Sequence, residues 1–279
     1  IGAVAIGYST VATGGGAVAL GQNAYGLAAG AVALGKSRAS GTDSFAAAIT
    51  NNTATYGATG ANSVAIGKQN KATATISTAV GGQNCVASQN YAFASGNSSI
   101  ASGYASTSIG HSNTASEFYT VSTGGSALAN LFGKKAHASG AFGTVGDAQT
   151  GTFVLRSDTT DATAEALTTN NSTAGTTNQI ILPNNSAYAF HGTIVARQQA
   201  SVGTASAAWK IEGLIRRENG VGTTVLVNSA TTVLDNTPAW GMALTADATN
   251  GGLKIEVTGA AATNIRWVAT INTSEVTYA

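Results

Sequence analysis

Small and larger apolar residues alternate in a short block that keeps returning along the first half of the chain. Ala3-Val4-Ala5-Ile6-Gly7 comes back as Ala17-Val18-Ala19-Leu20-Gly21 and as Ala31-Val32-Ala33-Leu34-Gly35, with the closing glycines evenly spaced at Gly7, Gly21 and Gly35. Gly2, Gly16 and Gly30 keep the same step just ahead of the block. Ser44-Phe45-Ala46-Ala47-Ala48-Ile49 is a degraded copy and Ser63-Val64-Ala65-Ile66-Gly67 a clean one. Ser77-Thr78-Ala79-Val80-Gly81, Ala92-Phe93-Ala94-Ser95-Gly96, Ser108-Ile109-Gly110, Ser122-Thr123-Gly124-Gly125 and Ala136-His137-Ala138-Ser139-Gly140 follow at steps of 14 or 15. One longer step, across 51–60, reads as an insertion at a turn. A short fixed period with Gly in constant phase predicts stacked coils, about ten over residues 1–146, each burying its face on its neighbours.

A step this short is too small for a helix-containing repeat, which needs about 20 residues. Two short strands and two tight turns fit. Val, Ile and Thr favour strands, and Gly reaches the positive φ that turns require. The expected fold is a parallel β-roll with coils roughly 4.8 Å apart, a rod on the order of 45 Å long. Alternate strand residues point to opposite sides, so Val4 and Ile6 face one way and Ala3 and Ala5 the other. Both faces are apolar, a thin roll has one interior, and the second face needs another cover. A monomeric β-helix with a wide core is the rival, but so short a coil encloses little volume. The expectation is a parallel oligomer whose chains approach through the Ala-rich face.

From Thr144 the period stops. Residues 147–178 read as a neck or linker with one strand, Thr152-Phe153-Val154-Leu155-Arg156, followed by turns or extended chain over 158–175. Residues 179–279 carry seven strand patterns, at 179–182, 187–198, 208–217, 223–228, 241–246, 253–258 and 265–273. Alternation is plain in Trp209, Ile211 and Gly213 against Lys210 and Glu212, and in Leu253, Ile255 and Val257. Pro183-Asn184-Asn185 and Asn219-Gly220 are turn signals. This spacing predicts an antiparallel β-sandwich or jelly roll. The expected organisation is therefore all-β, with a roll over 1–146, a neck over 147–178 and a sandwich head over 179–279.

The Ser/Ala-Val-Ala-Ile/Leu-Gly block at this step resembles the head repeats of YadA-like trimeric autotransporter adhesins, over roughly residues 1–143 and most clearly at Ala3, Ala17, Ala31 and Ser63. The resemblance implies a left-handed roll with three chains around one axis, a homotrimer. The same repeat occurs in bacteriophage tail fibres. Leu182-Pro183-Asn184-Asn185-Ser186-Ala187-Tyr188-Ala189-Phe190, the segments 208–217 and 249–253, and Ile265-Arg266-Trp267-Val268-Ala269 resemble a C-terminal domain of phage tail fibres and prophage tail proteins. That family offers no catalytic residues to carry over. Together the two resemblances imply a trimeric fibre on the phage virion, outside the cell. Its N-terminal end would meet other tail proteins, and its head a host surface glycan or protein.

Composition changes the picture in three ways. Charged residues make up 9% of the chain, far below the share in an ordinary globular protein, about 25%. No apolar run approaches the length of a membrane span, about 18 residues, so membrane insertion is not expected. A net charge of +1 provides no field for nucleic acid. Cys85 stands alone, which precludes an intrachain disulfide and leaves the compartment open; it reads as a small apolar residue of the roll. The chain begins at Ile1, inside a repeat, so a piece of a longer protein is expected.

Candidate chemistry is sparse. A glycan-cleaving spike needs two carboxylates flanking the bond, and the acids of 1–146 are Asp43 and Glu117, many coils apart. Glu212 and Glu218 flank Arg216-Arg217 and read as surface charge pairs, and Lys134-Lys135 reads as a solvated turn. His111, His137 and His191 have no second His, Cys or acid at metal-ligand spacing, and the Asp-bearing calcium repeat is missing, so no metal or cofactor is expected. The expectation is a binding protein and not an enzyme. Its candidate receptor residues are Trp240, Asp235 and Asn236 on one loop, Asn250 on another and Tyr56 on the inserted turn. The rivals are a collar or whisker fibre that binds virion proteins alone, the head of a bacterial trimeric adhesin, and a polysaccharide-degrading tailspike.

Overall fold

A computed structural model describes residues 2–51, 53–199, 205–236 and 239–278. Among these there is no α-helix; the sole helical element is a 3-10 turn at Val221–Thr223. The chain divides into two compact units, Ile1–Asn130 and Leu131–Ala279.

The first unit is the expected parallel roll. Each coil gives a longer strand to one sheet and a two-residue strand to another, and each sheet has nine strands among the described residues of this unit. The register follows the sequence repeat: Val4 pairs with Val18, Val18 with Val32, Val32 with Phe45, and Phe45 with Val64. It continues through Thr78, Phe93 and Thr107 to Val121. The long step between Phe45 and Val64 holds the inserted turn, whose Asn52 lies outside the described residues.

The interior is alanine. Ala19, Ala33, Ala46, Ala65, Ala79 and Ala94 from the longer strands are sealed from solvent with Ala39, Ala58, Ala72, Ala87 and Ala101 from the shorter ones. This corrects the expectation that the Ala-rich face meets other chains. So short a coil draws its two sheets close, so their facing strand positions carry Ala, or Ser at Ser108 and Ser122, and the bigger alternating residues of the strands turn outward. Leu20, Ile66 and Ile109 are 36%, 37% and 43% exposed, and together with Val18, Val32 and Val64 they run along the outside.

Close stacking also explains the recurrent glycine. At Gly96 φ is +109°, and an added Cβ would stand 2.0 Å from the Gly110 carbonyl oxygen of the next coil. Those carbonyls are met from inside the roll. Asn70 Nδ2 donates to Ile66 O at 2.6 Å and to Gly81 O at 2.7 Å, while its Oδ1 accepts the Cys85 N–H at 2.9 Å. Asn113 repeats the arrangement with Ile109, Gly124 and Ala127. Between them, Cys85 Sγ reaches Gly96 O at 3.1 Å and Ser99 Oγ reaches Gly110 O at 3.0 Å. Cys85 is fully buried, and burial pushes its thiol pKa up.

The second unit packs two antiparallel sheets over one core. The larger runs in the order Lys135–Ser139, Ala148–Thr159, Ile265–Thr277, Ser186–Gln198, Ser206–Arg217, Val225–Asp235. The smaller pairs Gly252–Thr258 with Ala164–Ala166, Ile180–Ile181 and Gly241–Asp247. Trp267, Phe153, Leu155, Ile194 and Ile255 are among the side chains enclosed between them. The rings of Trp209 and Trp240 lie 5.8 and 5.7 Å from that of Trp267, whose Nε1 donates to Thr159 Oγ1 at 2.9 Å.

Two expected boundaries differ here. Residues 147–178 are not a neck: Ala148–Thr159 pairs with Ile265–Thr277 along its whole length, and Phe153, Leu155 and Leu167 are core. Its inward residues are Gln149, Gly151, Phe153, Leu155, Ser157 and Thr159, so only two large apolar groups marked it as a buried strand. The division between units falls at 130, ahead of the expected 146. Lys135–Ser139, the last copy of the sequence repeat, pairs antiparallel with Ala148–Thr159. Lys134 beside it is no solvated turn: its side chain is 1% exposed and its Nζ is 2.6 Å from Glu275 Oε2.

Candidate binding surface

The larger sheet of the second unit turns its apolar side chains inward and a polar lattice outward. Along Ser186–Gln198 the residues Phe190 and Ile194 are buried while His191 and Thr193 are exposed. Cross-strand pairing sets His191 between Asn272 and Glu212. The next outward row is Thr270, Thr193, Lys210 and Thr232. These two rows line a depression of about 300 Å³, in which Gly192 and Ala230 contribute little bulk. Thr152 Oγ1 donates to Asn272 Oδ1 at 3.0 Å and holds that amide from one side. The surface therefore offers a cation, a carboxylate, an imidazole, an amide and three hydroxyls on one rigid sheet, a set that suits a polar, multi-hydroxyl ligand. Glu212 is the sole acid among its lining residues.

Glu218 does not join it. Glu218 lies beyond the end of Ser206–Arg217, about 17 Å or more along the strand from Glu212, and faces Arg216 at 3.9 Å with both side chains exposed. Carboxylates that cleave a glycosidic bond stand roughly 5–9.5 Å apart. Among the described residues no three His, Cys, Asp or Glu side chains gather as metal ligands.

The sequence-nominated residues do not form a site. Trp240 is 4% exposed and stacks into the core against Trp267, which corrects its expected place on an open loop. Asn236 staples that loop shut: its Oδ1 accepts the Trp240 N–H and its Nδ2 donates to Trp240 O, both at 2.9 Å. Asp235 ends the strand Val225–Asp235 and is exposed; Thr237 and Pro238 of the same loop lie outside the described residues. Asn250 donates from its backbone N–H and from Nδ2 to the Asp247 carboxylate, at 2.9 and 2.8 Å. Asn236 and Asn250 flank opposite ends of Gly241–Asp247, roughly 20 Å apart at strand rise. Tyr56 belongs to the roll, half-buried, with Lys71 Nζ 5.0 Å over its ring. His191, Lys210 and Asn272 were missed, although their alternation with Phe190, Ile211 and Ile271 was visible.

The strongest electrostatic perturbation of the second unit is internal. Glu275 accepts from Lys134, from Gln149 Nε2 at 2.6 Å and from Thr273 Oγ1 at 2.8 Å. Burial draws the Lys134 pKa down, against the pull of Glu275. Burial and then the Glu275 carboxylate push the Tyr188 hydroxyl well above its ordinary value. The cluster is sealed, so it serves packing rather than ligand chemistry.

Residues 1–24 and 58–84 match the family described as YadA head domain repeat, in two copies. Those stretches contain Ala3, Ala17 and Ser63, and the head-repeat resemblance is borne out there. No curated protein matches the chain. Among solved structures, it is similar to the tailspike protein gp49 from Acinetobacter baumannii bacteriophage Fri1, a capsular polysaccharide depolymerase. The two are 11% identical over 94% of this chain and 48% of that one, with a TM-score of 0.28. It is also similar to the tailspike protein of Acinetobacter baumannii phage AM24, at 10% identity over 95% of this chain and 51% of that one, with a TM-score of 0.25. The chain spans about half the length of either, and at these scores neither likeness carries weight on fold or chemistry.

Proposed function

We propose that this protein is a homotrimeric adhesion fibre of a phage tail, which binds a host surface glycan and does not cleave it. The observation that carries this reading is the inverted roll. Its strands turn mostly alanine inward, and its Val, Ile and Leu residues form an outward stripe that water does not favour. Three parallel copies, in register through the same repeat, would cover it. The match to head repeats supports an adhesive rod, and the C-terminal resemblance to tail-fibre domains supports the virion as its place. In this reading the roll is the spacer, and the polar sheet face around His191, Lys210 and Glu212 meets the host. The distance between Glu212 and Glu218 supports binding over hydrolysis.

The test is molar mass in solution by light scattering. Three times the 27.5 kDa of one chain is expected. A monomer at micromolar concentration sinks the reading, because the stripe would then need no cover.

A further inference from the structure

The roll carries a second feature that the spacer role does not use. Tyr91, Tyr104, Phe118 and Tyr119 crowd together on the turns of three successive coils. Tyr104 stacks on Phe118 with ring centroids 5.5 Å apart, and it meets Tyr91 and Tyr119 edge-to-face at 5.5 and 6.0 Å. Tyr91, Phe118 and Tyr119 are 51%, 49% and 54% exposed. Four of the fifteen Tyr and Phe in the chain (8 and 7) thus meet on one outer edge.

Their backbone makes the cluster more than a chance patch. From the second coil on, two residues before each longer strand of the roll the chain is left-handed, and the occupants in order are Gly16, Gly30, Asp43, Asn62, Ile76, Tyr91, Ala105 and Tyr119. The first four are Gly, Asp and Asn, which tolerate this conformation, whereas Ile76, Tyr91, Ala105 and Tyr119 do not. Tyr91 at φ +61° and Tyr119 at φ +58° adopt it at about 1–2 kcal/mol each. Strain of this kind persists where the side chain is wanted for something other than local folding. Here what the side chains supply is a set of outward rings at the spacing of the coils.

We propose that this aromatic ledge is a glycan-binding platform on the roll, distinct from the polar sheet face, for neutral or N-acetylated sugars whose C–H faces lie on the rings. Three of the four rings carry hydroxyls, so each pairs an apolar face with a polar rim, which matches a pyranose and suits a wholly apolar partner poorly. Glu117 is the one acidic or basic residue in the segment 86–122 apart from His111, so a strongly anionic ligand finds no fixed counter-charge from that segment. The inference deepens the adhesive reading by naming a surface and a ligand class.

The experiment uses the full chain on an array of neutral, N-acetylated and acidic oligosaccharides, alongside a Tyr91→Asn/Tyr119→Asn variant and a Lys210→Ala variant. Asn accepts the left-handed conformation, so the double variant removes two rings while relieving the turns, and its melting temperature should not fall. Expected is binding of at least one neutral or N-acetylated glycan, weakened about tenfold or more in the double variant. Loss of binding in Lys210→Ala alone would overturn the ledge and keep the adhesive reading. An array with no binding would overturn the ledge as a glycan site, and light scattering would still judge the trimer. A double variant with reduced molar mass would show that the rings meet another copy of the chain, which also overturns it.

Discussion

Lys134 Nζ lies 2.6 Å from Glu275 Oε2, and both side chains are closed to water. The pair joins the first turn of the second unit to its last strand, across 141 residues of sequence. Removing one partner strands a buried charge, at about 3–5 kcal/mol, whereas replacing both by apolar groups is often near neutral. Glu275→Leu is therefore expected to destabilise strongly, and Lys134→Met/Glu275→Leu to recover much of the loss. Chemical denaturation of the three proteins measures this; equal loss in the single and double variants would show that packing, not charge, holds this corner.

Tyr188 makes the same cluster sensitive to alkali. Its folded pKa is raised above the ordinary value of 10.0, so its contribution is complete below pH 10 and is lost as pH climbs toward the folded value. Once the unfolded tyrosine ionises, the slope is about 1.4 kcal/mol per pH unit. Lys134 acts oppositely: with its folded pKa lowered, the protein gains stability as pH rises toward 10.5. The two are separated by Tyr188→Phe, which should flatten the decline above pH 10 and leave the trend below it. Melting curves from pH 8 to 12 decide; a decline that persists in Tyr188→Phe assigns it elsewhere.

Inside the roll, Asn70 satisfies three backbone groups of two coils. Asn70→Ala leaves the Gly81 carbonyl and the Cys85 N–H buried without partners, at roughly 1–3 kcal/mol each. Asn113→Ala should behave alike, and Ser99→Ala, with one such bond, should cost less. Hydrogen exchange at Cys85 and Ala127 reads the effect locally. Unchanged protection in the Asn variants would mean that water replaces the side chain.

The roll was legible because its period is a backbone property. Gly at fixed phase and alternation at each coil left the strands at Val18–Leu20 and Val64–Lys68 little freedom. Which face was inside was not legible, since Ala65 and Ile66 are both apolar and the choice depends on the width that so short a coil can enclose. In the second unit, Leu253, Ile255 and Val257 declared their strand, and Phe153 and Leu155 declared the middle of Ala148–Thr159, while Gln149, Ser157 and Thr159 concealed its full length by filling buried positions with polar groups. Trp240 misled for a related reason. A Trp two residues after Pro238, in a loop with Asp235 and Asn236, reads as exposed, and only the tertiary stack on Trp267 takes it inside.

Strain on the turns gives a prediction of opposite sign. Ile76 is 46% exposed and sits at φ +57°, where a β-branched side chain is disfavoured. Ile76→Asn gives up little burial and relieves a conformation worth about 1–2 kcal/mol. The variant should melt higher than the wild type. A lower melting temperature would show that the Ile76 side chain is covered in the assembled protein, and would place it on the contact between chains.

The inverted roll itself is tested by neighbours in sequence. Ala65 points into the interior and is fully buried, while Ile66 points out and is 37% exposed. Ala65→Leu must fit three more carbons where the two sheets approach to methyl distance. Overpacking costs about 1–3 kcal/mol in cores that can adjust, and a roll this thin has less room to adjust. Ile66→Asp leaves the interior untouched and sets a charge in the outward stripe. The first variant should lose folded protein at an unchanged molar mass for what remains; the second should keep its strand content by circular dichroism and dissociate. If Ile66→Asp stays trimeric while Ala65→Leu dissociates, the Ala face is the contact between chains and the roll is the reverse of the one described.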